Sequence, residues 1–214
     1  MPKNDVNKII PLLKKEYPGF TTALLHANPL QLLVSTILSA QCTDARVNIV
    51  TKPLFRKYKT ARDYADADLK EFEQEIRSTG FYHNKAKNVI GAAKMIIDKF
   101  RGKVPDSMEE LIQLPGVARK TANIVLSHGY GKIEGIAVDT HVRRVSFRLG
   151  LTKNEDPVKI ERDLMNITPK KEWAHLSDLL IAHGRAICAA GKPKCPECVL
   201  GSLCPSKKLF YPGK

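Results

Sequence analysis

Apolar residues return every three or four positions along most of this chain, the period of an amphipathic helix. In HANPLQLLVSTILSA, Leu30, Leu33, Val34, Ile37 and Leu38 keep that spacing and Leu32 widens the apolar face. A helix apolar over so much of its surface is expected to be central and buried. Asn28 offers an N-cap, Pro29 suits the first helical position, and Gln31 would close a capping box. TDARVNIVTKPLFRKY predicts a helix capped by Asp44 and bent or restarted at Pro53. In DADLKEFEQEIRSTG, Asp68 and Glu71 mark a start, Leu69, Phe72 and Ile76 line one face, and Gly80 marks a stop. NKAKNVIGAAKMIIDKFRG places Val89, Ile90, Ala93, Ile96, Ile97 and Phe100 on one side. Further helices are predicted in PDSMEELIQL up to Pro115, ARKTANIVLSHG up to Gly129, and DTHVRRVSFRLG from Asp139 to Gly150. PVKIERDLMNI and KEWAHLSDLLIAHGRAI read the same way.

No stretch alternates apolar and polar residues as a half-buried strand would, so the predicted class is all-α with short connections. There is no low-complexity linker and no internal repeat, and composition marks no domain boundary.

Charge changes this picture more than hydrophobic content does. The 214 residues are 43% hydrophobic and 27% charged, ordinary for a soluble domain. Yet 35 Lys and Arg face 22 Asp and Glu, a net charge of +13. That excess favours an anionic partner, nucleic acid ahead of a membrane surface. No apolar run is long enough to span a membrane, and the first residues lack a secretory signal's apolar stretch, so a cytosolic location is expected. Of five cysteines, Cys42 stands alone and Cys188, Cys195, Cys198 and Cys204 crowd together as C-x6-C-x2-C-x5-C. In a cytosolic chain that cluster reads as a metal site before a disulfide framework. The spacing by itself leaves tetrahedral zinc and an iron–sulfur cluster both open.

The string LPGVARKTA joins two predicted helices. Pro115 ends the first, Gly116 permits a positive φ and close approach to another molecule, and the next helix offers unpaired N–H groups at its positive end. An ordinary helix corner would look similar. The whole string, however, resembles the helix-hairpin-helix motif of DNA glycosylases, usually Leu-Pro-Gly-Val-Gly and then a helix. Ala118 stands where that pattern has its second glycine, which puts the hairpin dihedrals there in question.

Lys120 follows the turn, and Asp139 comes nineteen residues later in IAVDTHVRRV. A carboxylate at a helix start is ordinarily an N-cap. Together with the hairpin, the pair resembles the catalytic pair of the bifunctional glycosylases of the endonuclease III family. The resemblance runs from LSAQCTD through the hairpin and VDTHV to the terminal cysteines. The chemistry accounts for the residue types. Breaking an N-glycosidic bond builds positive charge on the sugar, which a carboxylate at Asp139 would stabilise. A neutral amine at Lys120 would attack the anomeric carbon and leave an iminium, whose electron sink permits β-elimination. The amine must first lose its proton, a loss favoured by desolvation and by a positive helix end.

The resemblance implies more. Two helical lobes would flank a DNA-binding cleft: a six-helix lobe over residues 22–132 carrying the hairpin, and an iron–sulfur lobe built from residues 1–21 and 133–214. The ligands of a 4Fe–4S cluster would be Cys188, Cys195, Cys198 and Cys204. Gln41 would fill the gap left by a flipped nucleotide, and Phe81 would wedge the opposite strand. Without the resemblance these two read as a polar helix end and a core aromatic. Gly116 and Ala118 would lie against phosphate, and Lys192 and Lys194, around Pro193, would reach it from the cysteine loop. Lys85 and Lys87 fit phosphate contacts or a solvated helix face equally, Cys42 reads as a small buried residue, and His141 is left unassigned. The expected activity is excision of oxidised or ring-damaged pyrimidines from double-stranded DNA, followed by cleavage 3′ to the abasic site. The enzyme would be a monomer with no membrane partner. The competing readings are an adenine or mismatch glycosylase of the same superfamily, a non-catalytic DNA-binding module with a metal staple, and a small electron carrier.

Overall fold

The computed structural model describes residues 5–212, and every regular element among them is helical. The outermost residues of the expected lobes, 1–4 and 213–214, lie outside that range. No described helix is long and apolar enough to cross a membrane. The chain divides into two compact units: Thr22–Glu134 is continuous, and Met1–Thr21 is joined to Gly135–Lys214.

The second of these begins with α1 (Val6–Glu16), capped by Asp5, whose face of Val6, Ile9, Ile10 and Leu13 is buried. The continuous unit is built around α2 (Pro29–Leu38), in which every residue from Leu32 to Leu38 is buried, as its composition predicts. The Asn28 side chain accepts from Gln31 N–H at 2.9 Å. The Gln31 carboxamide reaches one residue further back than a capping box requires, accepting from Ala27 N–H at 2.8 Å. The next helix, α3 (Asp44–Lys57), differs from expectation twice. Thr43, not Asp44, is its cap, and the helix runs unbroken through Pro53. Proline forfeits one intrahelical hydrogen bond and crowds the carbonyl four residues back. That residue is Ile49, 63% exposed, so the forfeited bond falls on the solvent face.

Two short helices follow, α4 (Ala61–Ala65) and α5 (Leu69–Ile76), and both pack on the long α6 (Tyr82–Phe100). Asp68 caps α5, and Phe72 and Ile76 enter the core while Leu69 stays at the surface. A 3₁₀ turn, Arg77–Thr79, separates α5 from Gly80. α7 (Met108–Leu111) is capped by Ser107, and α8 (Arg119–Ile124) passes into a wider π-helical turn, Val125–Gly129. That turn packs on α2, and a β-carbon at Gly129 would lie 3.5 Å from both Pro29 and Leu32.

After Glu134 the chain rejoins the unit that holds α1. A buried segment, Ile136–Val138, leads into α9 (Thr140–Arg148). α10 (Pro157–Ile167) and α11 (Trp173–Ala186) complete the main packing, and a short α12 (Lys207–Phe210) follows the last cysteine. α1 and α9 both pack on α11, and one apolar core joins Ile9 and Leu13 to Val142, Leu164, Leu176 and Leu200. Lys14 Nζ lies 3.0 and 2.8 Å from the two carboxylate oxygens of Glu172, tying α1 to the approach to α11.

Candidate functional site

The hairpin is built by three buried anchors and one glycine. Leu111, Leu114 and Val117 point into the core, and Val117 N–H donates to Leu114 C=O at 3.0 Å to close the turn. Gly116 has φ +76°, and a methyl group there would stand 2.8 Å from Asn88 Cβ on α6. Pro115 packs over Gly91 of the same helix, where a β-carbon would lie 3.3 Å from the proline Cγ. The turn is thus moulded onto α6 from both sides. Ala118 settles the question raised by its sequence. It has φ −90° and ψ 170°, extended backbone that any residue adopts, so the missing glycine costs the hairpin nothing there. No side chain caps α8 at Ala118. Lys120, the second residue of that helix, is exposed.

Two loops of the same unit carry the residues expected to enter DNA. Gln41 and Phe81 are both exposed, Phe81 at 64%, and both are left-handed, with φ of 53° and 50°. Such backbone is uncommon for residues with a β-carbon and costs on the order of 1–2 kcal/mol each. Lys85 is neither a phosphate contact nor part of a solvated face. It is 4% exposed, and Nζ donates to Leu38 C=O and Thr79 C=O, both at 2.8 Å. Its place four residues before Val89, on the apolar side of α6, was the sequence signal for that burial. Cys42 is half-buried against the core.

In the other unit, Asp139 is the N-cap of α9. Its Oδ1 accepts from His141 N–H and Val142 N–H, both at 2.8 Å. The segment leading to it is pinned where Ser177 Oγ donates to Ala137 C=O at 2.8 Å. The capping reading and the catalytic one are compatible here, because both cap bonds run to the same carboxylate oxygen.

The four clustered cysteines come together. Cys188, Cys195, Cys198 and Cys204, all half-buried, line one small cavity of about 20 Å³ whose other walls include Val145, Leu149, Ile187 and Phe210. Among the described residues no three His, Cys, Asp or Glu side chains converge on a point that would hold a single ion. Four thiols on one cavity are a donor set that fits an iron–sulfur cluster as well as tetrahedral zinc. Burial pushes the Cys198 thiol up to about 11, and burial followed by neighbouring thiolates raises Cys195 and Cys204 as well.

Three side chains that sequence reasoning passed over support this cavity. Arg148 Nη1 lies 3.3 Å from Cys188 Sγ, and its guanidinium donates to Ala189 C=O and Ala190 C=O at 2.7 Å each while lying 4.5 Å above the Phe210 ring. Arg144 donates to Cys188 C=O and Gly184 C=O, both at 2.9 Å. His183, 2% exposed, has Nε2 3.4 Å from Cys198 Sγ and Nδ1 3.0 Å from Tyr17 Oη. Burial lowers its pKa to about 4. A neutral ring that donates Nε2–H to the sulfur accepts at Nδ1 from the tyrosine hydroxyl. Between the first two cysteines, Pro193 is buried and Lys192 and Lys194 on either side of it are exposed.

An endonuclease III of Synechocystis sp. is 56% identical to this chain over 204 residues, covering 95% of the chain and 93% of that protein. This chain belongs to the endonuclease III family. The endonuclease III of Bacillus subtilis is 50% identical over 189 residues, 88% of this chain and 86% of that protein. Residues 34–170, more than half the chain, match the HhH-GPD superfamily of base excision DNA repair proteins. A solved endonuclease III, described as a non-covalent complex with DNA, superposes with a TM-score of 0.91 at 47% identity, covering 95% of each chain. A thermostable thymine-DNA glycosylase shares the fold, with a TM-score of 0.82 at 24% identity. Endonuclease III is thus the member of the superfamily this chain follows, and it is a base excision repair enzyme with DNA glycosylase and abasic-site lyase activity.

Proposed function

We propose that this enzyme excises oxidised or ring-damaged pyrimidines from double-stranded DNA, with Lys120 as nucleophile and Asp139 as its carboxylate partner. The observation that carries the reading is an exposed lysine at the second position of the uncapped hairpin helix, in a family whose reaction requires an amine. Gly116 and the N–H groups after Ala118 bind phosphate, which positions the strand without reading its sequence. The neutral Lys120 amine attacks C1′, the C1′–N bond breaks, and the base leaves with the bonding pair and takes up a proton. Asp139 stabilises the cationic sugar as that charge develops. The attached nitrogen gives up a proton, the one the departing base takes up, and its freed lone pair expels the ring oxygen, which is protonated by water as the iminium forms. Loss of a C2′ proton drives elimination of the 3′ phosphate, so the strand breaks 3′ to the lesion.

Gln41 fills the vacated position in the duplex and Phe81 enters the opposite strand; both are exposed. A 4Fe–4S cluster held by Cys188, Cys195, Cys198 and Cys204 cross-links the segment that follows α11. Lys192 and Lys194 contact phosphate from the loop those ligands close. All these residues lie on one chain, so a monomer suffices.

The test is strand scission of duplexes bearing a panel of damaged pyrimidines, run beside borohydride trapping, with wild type and Lys120→Ala. Wild type is expected to cleave and to be trapped covalently, and the variant to do neither. Undiminished trapping in Lys120→Ala would remove the nucleophile assignment, and binding without scission by wild type would favour a DNA-binding module.

A further inference from the structure

The buried ammonium of Lys85 sits between the ends of two helical segments. Leu38 is the last residue of α2, and Thr79 the last of the 3₁₀ turn after α5. The carbonyls that close a helical segment have no intrahelical partner, and they carry its partial negative charge. One cation answers both, at 2.8 Å each, in a site where water does not reach them. Three residues beyond Leu38 comes Gln41, and two beyond Thr79 comes Phe81, each the left-handed residue of its loop. Lys85 is joined to the second loop again through its own backbone, where its N–H donates to Phe81 C=O at 3.2 Å. Burial lowers the lysine pKa, yet both ammonium hydrogen bonds run to carbonyl oxygens at helix ends, the environment that favours the charged form.

We propose that Lys85 is a positioning residue that ties the Gln41 loop to the Phe81 loop, so that the two DNA-inserting side chains are presented as one rigid pair. This rests on the reading of Gln41 and Phe81 as the residues that enter the duplex. The tie explains why two strained backbones persist in one unit: each loop leaves a helix end whose carbonyl is anchored to the same atom. A hydrocarbon at position 85 would fill the space but leave two buried acceptors unpaired. The loops would then order separately, and each would lose its orientation when DNA must be opened.

The test compares wild type with Lys85→Met on two substrates, a damaged duplex and a single-stranded abasic oligonucleotide that needs no opening. Scission of the duplex is expected to fall about tenfold or more, and scission of the single strand to stay within about twofold. In a Gln41→Ala/Phe81→Ala background, Lys85→Met should change duplex scission by less than about twofold, because the pair it positions is gone. Equal loss on both substrates, or an undiminished loss in the double-variant background, would overturn the proposal. Amide hydrogen exchange of the wild-type protein without DNA serves if Lys85→Met does not fold. Residues 39–43 and 79–82 should open as one unit with a shared denaturant dependence, and independent opening would overturn the tie. Should Gln41→Ala/Phe81→Ala leave duplex scission intact, the insertion reading fails, and the exchange result alone then decides the tie.

Discussion

Gly116→Ala puts the hairpin geometry to a quantitative test. At φ +76° an alanine incurs the left-handed penalty of about 1–2 kcal/mol. Its methyl would also meet Asn88 Cβ at 2.8 Å and Cγ and Nδ2 at 2.9 Å, closer than packed carbon atoms tolerate. Forcing a methyl into such a site costs about 1–3 kcal/mol. The smaller entropy of an alanine in the unfolded chain offsets about 0.4–1 kcal/mol of this. The net loss is therefore about 2–4 kcal/mol, a fall of roughly 1–2 M in the urea midpoint for a slope near 2 kcal/mol/M. The far-UV helical signal of the full-length protein reports it. Ala118→Gly is the matched control, two residues away. Its backbone is extended, and glycine is the better N-cap but the more flexible residue, so the two effects cancel to within about 0.5 kcal/mol. Asn88→Ala in the Gly116→Ala background should recover only part of the loss, because it removes Cγ and Nδ2 but keeps Cβ. A wild-type midpoint for Gly116→Ala, or a larger loss for Ala118→Gly, would show that the turn is not the one described.

Further outcomes follow from the other sites. Asp139→Asn keeps an equally good cap, so stability should hold within about 0.5 kcal/mol while base excision falls about 100-fold or more; Asp139→Ala should in addition lose about 1 kcal/mol in thermal unfolding. Replacing Lys192 and Lys194 by alanine should lower DNA affinity without changing lesion preference, and should reduce the slope of log K against log salt by about 0.9 for each phosphate no longer neutralised. The carboxyl of Glu172 is held below its usual range, first by the Lys14 hydrogen bond. A depressed folded-state pKa means stability that is present above the ordinary value of 4.5 and lost as pH falls through the folded value. Because the pair is partly exposed, that stability is at most about 1 kcal/mol, and Glu172→Gln should flatten this part of the acid profile in unfolding measurements.

Much of this architecture is readable along the chain because the helices advertise themselves. Asn28, Asp68 and Asp139 are caps by residue type and are caps in the structure, and the apolar spacing of α2 and α6 picks out the faces they bury. The misreadings arise where a residue has two local uses. Thr43 and Asp44 are adjacent capping candidates, and only the backbone turn decides between them. Pro53 would break a buried helix but is tolerated where the forfeited bond faces water. The left-handed backbones of Gln41 and Phe81 leave no trace, since neither residue type favours that conformation and both depend on long-range anchoring at Leu38 and Thr79. The cysteine spacing signals a metal, but its supports come from afar: Arg148 lies forty residues before Cys188 and Tyr17 much further back, distances over which no local pattern speaks.

The order in which the chain is threaded through its two units has a consequence for synthesis. The hairpin unit is one uninterrupted stretch, and it can bury its core as soon as Glu134 has emerged from the ribosome. Helix α1 is made first, but Ile136, Val142, Leu164 and Leu176, against which Ile9 and Leu13 pack, are made more than a hundred residues later. At 5–20 residues per second its apolar face waits on the order of 10 s for a partner. The four cysteines appear later still, after the hairpin unit has closed. Every partner just named for α1 precedes Cys188 in the chain, so the first helix can dock before the last of the four cysteines is made, and losing those cysteines would leave both that docking and the hairpin turn free to form.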